Sequence, residues 1–199
     1  MGDWVIRSCL QQMTQWQLDG LRLAVSANVS ALQLQQPDFV EKLKQVLALY
    51  PDLVRHQLSL EVLETSALED LLHVAKVIRD CKKLGVYFSL DDFGTGYSSL
   101  TYLRRLPVNQ LKIDQSFVRD MLDDADDLAI LKGVIGLAHA FNREVIAEGV
   151  ETLAHGQALL ALGCELAQGY GIARPMPGSD IPNWVSAWIQ NAEWVGTQK

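Results

Sequence analysis

Six short runs rich in apolar residues, Leu21–Val29, Gln57–Leu63, Val86–Leu90, Gln110–Ile113, Glu144–Ala147 and Leu166–Tyr170, are separated by longer stretches in which apolar residues recur at helical spacing. A chain patterned this way belongs to the α/β class. Parallel strands need crossover connections, and strands that are nearly continuously apolar belong in a sheet covered on both faces. The helical stretches fall at 3–19, 38–49, 66–84, 98–105, 126–141, 152–162 and onward from Ile181. In the third of them Leu68, Leu71, Leu72, Ala75 and Ile78 form the expected apolar stripe, and Gly85 supplies the stop. No low-complexity linker interrupts the rhythm, so a single domain over 1–199 is expected.

Each run delivers a polar or charged residue at or just beyond its C-terminal end. They are Asn28, then Glu61 and Glu64, then Asp91 and Asp92, then Lys112 and Asp114, then Glu148 and Glu151, and finally Gln168. Barrel-type βα proteins build their sites at that end of the strands, and six such endings in succession favour one shared site over a solvated surface. The densest ending is Leu90-Asp91-Asp92-Phe93-Gly94-Thr95-Gly96-Tyr97-Ser98-Ser99. Adjacent carboxylates repel unless a cation or basic group compensates them, and hard oxygen donors suit Mg²⁺, Mn²⁺ or Ca²⁺. Gly94 and Gly96 allow a sharp turn directly after them. Lys112, framed by Leu111 and Ile113, points to the side opposite its neighbours. Competing structural roles exist: Asn28 could cap a helix, and Glu64 and Glu151 could serve a helix dipole.

A net charge of −7 gives no field that would attract DNA or an anionic membrane, so a small anionic substrate has to be met by local cations. Cys9, Cys81 and Cys164 are odd in number and lack a Cys-x-x-Cys spacing, which fits reduced, buried thiols in a cytoplasmic protein. No apolar run reaches the length of a membrane span. His56, His73, His139 and His155 share no metal-site spacing. Asp123-Asp124-Ala125-Asp126-Asp127 reads as a solvated helix start, and Trp184, Trp188 and Trp194 as packing residues of a closing helix.

The ordered set Val25-Ser26-Ala27-Asn28-Val29-Ser30, Leu60-Glu61-Val62-Leu63-Glu64, the Asp-Asp-Phe-Gly-Thr-Gly-Tyr-Ser-Ser-Leu segment, Leu106-Pro107-Val108-Asn109-Gln110-Leu111-Lys112-Ile113-Asp114, Ala147-Glu148-Gly149-Val150-Glu151 and Gln168-Gly169-Tyr170 resembles the EAL domain family. These are bacterial phosphodiesterases that hydrolyse cyclic di-GMP, and the resemblance runs from Trp4 to about Pro177. It implies a modified (β/α)8 TIM-like barrel of which this chain holds about six strands. The family's first two strands, the second carrying the Glu-Ala-Leu glutamate that binds metal, are expected to be missing, since no such tripeptide occurs here.

By resemblance, Asn28, Glu61 and Asp91 bind the first of two Mg²⁺ or Mn²⁺ ions, and Asp91, Asp92 and Glu148 the second. Lys112 orients the attacking water or takes its proton, and Gln168 contacts the water or a phosphate oxygen. Asp114 lies on the substrate side, while Glu64 and Glu151 support the loop 93–99. The implied product is linear pGpG, and with one ligand absent the activity is expected to be weak or nil. The alternatives are a degenerate EAL domain that binds nucleotide or protein without hydrolysis, and an unrelated divalent-metal barrel enzyme of aldolase or enolase type. Open sheet edges predict a homodimer or strand-swapped oligomer.

Overall fold

The computed structural model describes residues 2–64, 70–95 and 100–189. The chain divides into two compact units, Met1–Lys112 with Phe141–Glu144, and Ile113–Ala140 with Val145–Lys199.

The first unit opens with α1 (Gly2–Leu18), whose Ile6, Leu10, Met13 and Trp16 recur every three or four residues and form its buried stripe. Strand β1 (Val25–Asn28) follows, then α2 (Ala31–Leu34), α3 (Phe39–Leu47), β2 (Leu58–Leu63), α4 (Leu71–Lys83), β3 (Tyr87–Phe93), α5 (Leu100–Arg105) and the start of β4 (Gln110–Ile113). The strands lie in sequence order. β1 pairs parallel with β2 through Val25↔Leu58 and Asn28↔Glu61, and β2 pairs parallel with β3 through Ser59↔Tyr87 and Leu63↔Asp91. β2 shows why the sequence has no alternation there, since Leu58 to Val62 are all buried.

The second unit contains α6 (Gln115–Arg119), α7 (Ala125–Ala140), most of β5 (Glu144–Ala147), α8 (Leu153–Ala161), β6 (Leu166–Ala167) and α9 (Ile181–Ile189). β5 and β6 pair parallel through Ile146↔Leu166 and Ala147↔Ala167. The acidic run does start a helix: Asp124 Oδ1 accepts from Asp126 N (2.7 Å) and Asp127 N (3.3 Å), all three side chains lying near the solvent.

Several boundaries differ from the sequence expectation. The first strand begins at Val25 instead of Leu21, because Leu21 N returns to Trp16 O (2.8 Å) to close α1, with Gly20 at φ 81°. The third strand is longer than Val86–Leu90 and carries both Asp91 and Asp92 within it. The sixth stops at Ala167, where Gly169 crosses the Val150 backbone so closely that a Cβ would collide with it. In α4 the buried set is Val74, Ala75, Val77, Ile78 and Cys81, while Leu72 is 75% exposed; Leu68 lies outside the described residues, as do 96–99 of the Asp-Asp loop and Trp194. α9 has no buried residue, so Trp184 and Trp188 are a half-exposed stacked pair, 5.3 Å between centroids, and not core packing. The histidines do not cluster: His73 Nε2 lies 3.1 Å from Leu34 O and His56 stacks on Tyr87.

Burial, with the neighbouring Asp80 charge adding to it, pushes the Cys81 thiol up to about 12. An alkylating reagent at pH 8 is therefore expected to leave Cys81 unmodified in the folded protein and to modify it after denaturation, as peptide mass spectrometry would show.

Candidate active-site residues

In the first unit the strand register assembles the carboxylates. Asn28 sits opposite Glu61, and Glu61 sits opposite Ser89. Side chains two residues apart on a strand share a face, so Asp91 joins that side. From β4, Lys112 completes the group: its Nζ donates to Glu61 Oε2 and to Asp91 Oδ1, each at 2.8 Å. The Lys112, Glu61 and Asp91 side chains are only 4%, 9% and 13% exposed. Taking such charges out of water costs several kcal/mol per ion, roughly, so they persist only as a mutually compensating set.

One sequence alternative is resolved locally. The cap of α2 is Ser30, whose Oγ accepts from Gln33 N (3.3 Å) while Ser30 N donates to Gln33 Oε1 (3.2 Å), so Asn28 does not cap it. Glu64 is 3% exposed, and its Oε2 accepts from Gly94 N at 3.2 Å. That bond ties down the first residues after the paired aspartates. Asp92 adopts φ 53°, a left-handed value that aspartate tolerates, and its carbonyl accepts from Thr95 Oγ1 (2.9 Å) in the same turn.

In the second unit, Glu148 N donates to Ile113 O (3.1 Å), Gln168 N to Ala147 O (2.8 Å) and Val150 N to Gln168 O (3.0 Å), which aligns Glu148 and Gln168. Their side chains meet, Gln168 Nε2 donating to Glu148 Oε1 at 2.8 Å. Gly149 makes the approach possible: at φ 69°, a Cβ there would lie 2.5 Å from Gln115 Cβ. Glu148, Glu151 and Gln168 line a cavity of about 640 Å³ together with Gln115, Tyr170, Arg174 and Trp184. Asp114 has a different engagement: its Oδ1 caps α6 by accepting from Ser116 N (3.0 Å) and from Ser116 Oγ. Sequence reasoning passed over Gln115, Tyr170, Arg174 and Trp184. Tyr170 ends a recognised motif and Gln115 adjoins one, whereas nothing in the sequence brings Arg174 or Trp184 to the same wall.

The donor set fits a hard divalent cation. In the first unit Asn28, Glu61, Asp91 and Asp92 offer oxygen ligands alone, and Lys112 carries one positive charge against the two carboxylates it contacts.

Residues 1–175 match the family model for the EAL domain. The bifunctional diguanylate cyclase/cyclic di-GMP phosphodiesterase MucR of Pseudomonas aeruginosa is 39% identical over 91% of this chain and 26% of its own length. The cyclic di-GMP phosphodiesterase PA2567 of the same organism is 37% identical over 93% of this chain and 31% of its own. Among solved structures, the EAL domain of Mycobacterium smegmatis DcpA superposes with a TM-score of 0.88 at 35% identity, covering 94% of this chain and 84% of that one. MucR phosphodiesterase in complex with cyclic di-GMP gives a TM-score of 0.83 at 39% identity, over 90% and 73% of the two chains. The chain belongs to the EAL domain family, a metal-dependent one, and has its α/β, TIM-like fold, with six strands among the described residues. An unrelated aldolase- or enolase-type enzyme is thereby excluded. The chain spans less than a third of the curated relatives just named, 26% and 31%.

Lys112→Ala should destabilise the protein by about 3–5 kcal/mol in denaturant titrations, because it strands two buried carboxylates. Adding Glu61→Gln should return part of that loss, a coupling that a double-mutant cycle measures.

Proposed function

We propose that this chain is a phosphodiesterase domain for cyclic di-GMP, cleaving one of its two phosphodiester links to give linear pGpG. The observation that carries the reading is the buried Lys112 held by Glu61 and Asp91, on the ends of strands that bear the family's other acidic positions. The names of the relatives, and the cyclic di-GMP complex of MucR, support the choice of substrate.

Water would add to phosphorus as the P–O3′ bond breaks. Its oxygen stays on the 5′-phosphate and a proton passes to the departing 3′ oxygen. Asn28, Glu61 and Asp91 would hold one Mg²⁺ or Mn²⁺, and Asp91, Asp92 and Glu148 a second; when bound, such ions acidify the water and neutralise the phosphate. Lys112, an ammonium fixed at 2.8 Å from two carboxylates, would orient the water; the alternative, taking its proton, would require it first to give up its own. Gln168, braced by Glu148, contacts the water or a phosphate oxygen. Glu64, through Gly94, holds the entry to the loop 93–99; Glu151 lines the cavity of the second unit. Asp114, bound to the start of α6, positions that turn on the substrate side.

The 199 residues contain no Glu-Ala-Leu tripeptide, which supports a second reading, nucleotide binding without hydrolysis. The proposed rate for this chain alone is accordingly low, since misplacing reacting groups by about 1 Å costs about 10²-fold. We further propose a cytoplasmic protein that assembles as a homodimer or strand-swapped oligomer; a strict monomer in light scattering would refute the assembly. Among the described residues no helix is long and apolar enough to cross a membrane.

Chromatography of cyclic di-GMP incubated with the chain and Mn²⁺ tests the proposal. Turnover well below about 1 s⁻¹ is expected, recovering when a relative's Glu-Ala-Leu strand and the strand before it are fused to the N-terminus. In that fusion Lys112→Ala and Asp91→Asn should abolish the activity again. A fusion that binds cyclic di-GMP yet stays inactive would replace hydrolysis with the binding-only reading.

A further inference from the structure

The cavity of the second unit joins two unlike surfaces. One is the Glu148–Gln168 pair, joined at 2.8 Å. The other is aromatic and cationic: the Arg174 guanidinium carbon lies 4.8 Å from the centroid of the Tyr170 ring, and Trp184 lines the same space. Tyr170 is 59% exposed, so its ring is presented to solvent at the cavity wall instead of being packed away.

The backbone beneath this pair is rigidly placed. Gly171 N donates to Val150 O (2.9 Å), and Ile172 N and Ala173 N both donate to Gly169 O (3.0 Å each). Gly169 and Gly171 touch the Val150 and Glu151 backbones so closely that a Cβ at either would collide. Tyr170 and Arg174 are four residues apart across this turn, and the guanidinium is held over the ring. The backbone that carries the two planar groups is therefore set in place before any ligand arrives.

We propose that Tyr170 and Arg174 form a stacking platform for a purine base of the substrate and make the site selective for nucleotides over other phosphodiesters. The inference takes its substrate class from the phosphodiesterase reading above. Bases stack on aromatic rings and on guanidinium planes alike, whatever their sequence. Arginine adds in-plane donors that match the O6 and N7 acceptors of guanine, which a lysine point charge does not reproduce. The cavity, about 640 Å³, lies within the range of about 300–1,000 Å³ usual for small-ligand sites. Gln168, which contacts the water or a phosphate oxygen in that reading, lines the same cavity with its partner Glu148.

Calorimetric titration of the chain with cyclic di-GMP, 5′-GMP and ribose 5-phosphate tests this, using Tyr170→Ala, Tyr170→Phe and Arg174→Lys, with thermal melts to confirm folding. Tyr170→Ala and Arg174→Lys should weaken both guanine ligands about tenfold or more, and Tyr170→Phe by no more than about twofold. Ribose 5-phosphate, which lacks the base, should not distinguish Tyr170→Ala from the parent chain. Unchanged affinity for both guanine ligands in Tyr170→Ala and Arg174→Lys would overturn the platform and leave the phosphodiesterase reading standing. If the parent chain binds 5′-GMP with this Tyr170 dependence but not cyclic di-GMP, the platform holds and the phosphodiesterase reading falls. Failure of the parent chain to bind any guanine nucleotide would overturn both.

Discussion

The contact of Lys112 with Glu61 and Asp91 constrains the first unit more than any apolar cluster does. Hydrophobic burial is non-directional, whereas an ammonium at 2.8 Å from two carboxylates that are nearly out of water has to meet particular atoms. The contact fixes β2, β3 and β4 against one another at the level of single atoms. It also accounts for an acid, an acid and a base lying buried in strands whose other residues are mostly apolar. Buried charge of this kind is a poor device for stability alone, since well-packed apolar side chains would serve as well or better. On the reading proposed above, it prepares a site for a cation and a phosphate.

The second unit reaches precision by a different route, the absence of side chains. Gly149, Gly169 and Gly171 let three loop segments cross at distances no Cβ would permit. The crossing sets the backbone hydrogen bonds that align Glu148 with Gln168, and it carries Tyr170 and Arg174 to the cavity wall. Where the first unit compensates charge, the second replaces bulk with proximity.

Most of the element pattern was legible in the sequence, and so were the residues that meet as Lys112 with Glu61 and Asp91 and as Gln168 with Glu148. Parallel strands covered on both faces leave an unmistakable apolar signature, and strand ends advertise their polar residues because the flanking run is so uniform. Boundaries were less legible. The first strand is short because α1 spends Asp19 to Leu21 on closing itself, and the sixth is short because a backbone crossing ends it; both causes depend on residues far from, or not part of, the apolar run. The stripe assigned to α4 failed at Leu72 for a related reason: a leucine at helical spacing is buried only if another element covers it.

The sequence by itself determined the α/β class, the order of the strands, the family and the identity of the acidic, amide and lysine positions, because each of these is written in local periodicity or in contiguous motifs. Only the tertiary structure decided what those residues hold. It gave Lys112 to two carboxylates, Glu64 to the backbone of Gly94, and Asp114 to the start of α6, and it assigned the cap of α2 to Ser30 in place of Asn28. It also brought Arg174 over Tyr170 beside Trp184, a grouping no spacing encodes. The physical reason is the same in each case: propensity and pattern act within a few residues along the chain, whereas compensation of a buried charge and the meeting of two surfaces depend on which distant atoms arrive at the same place.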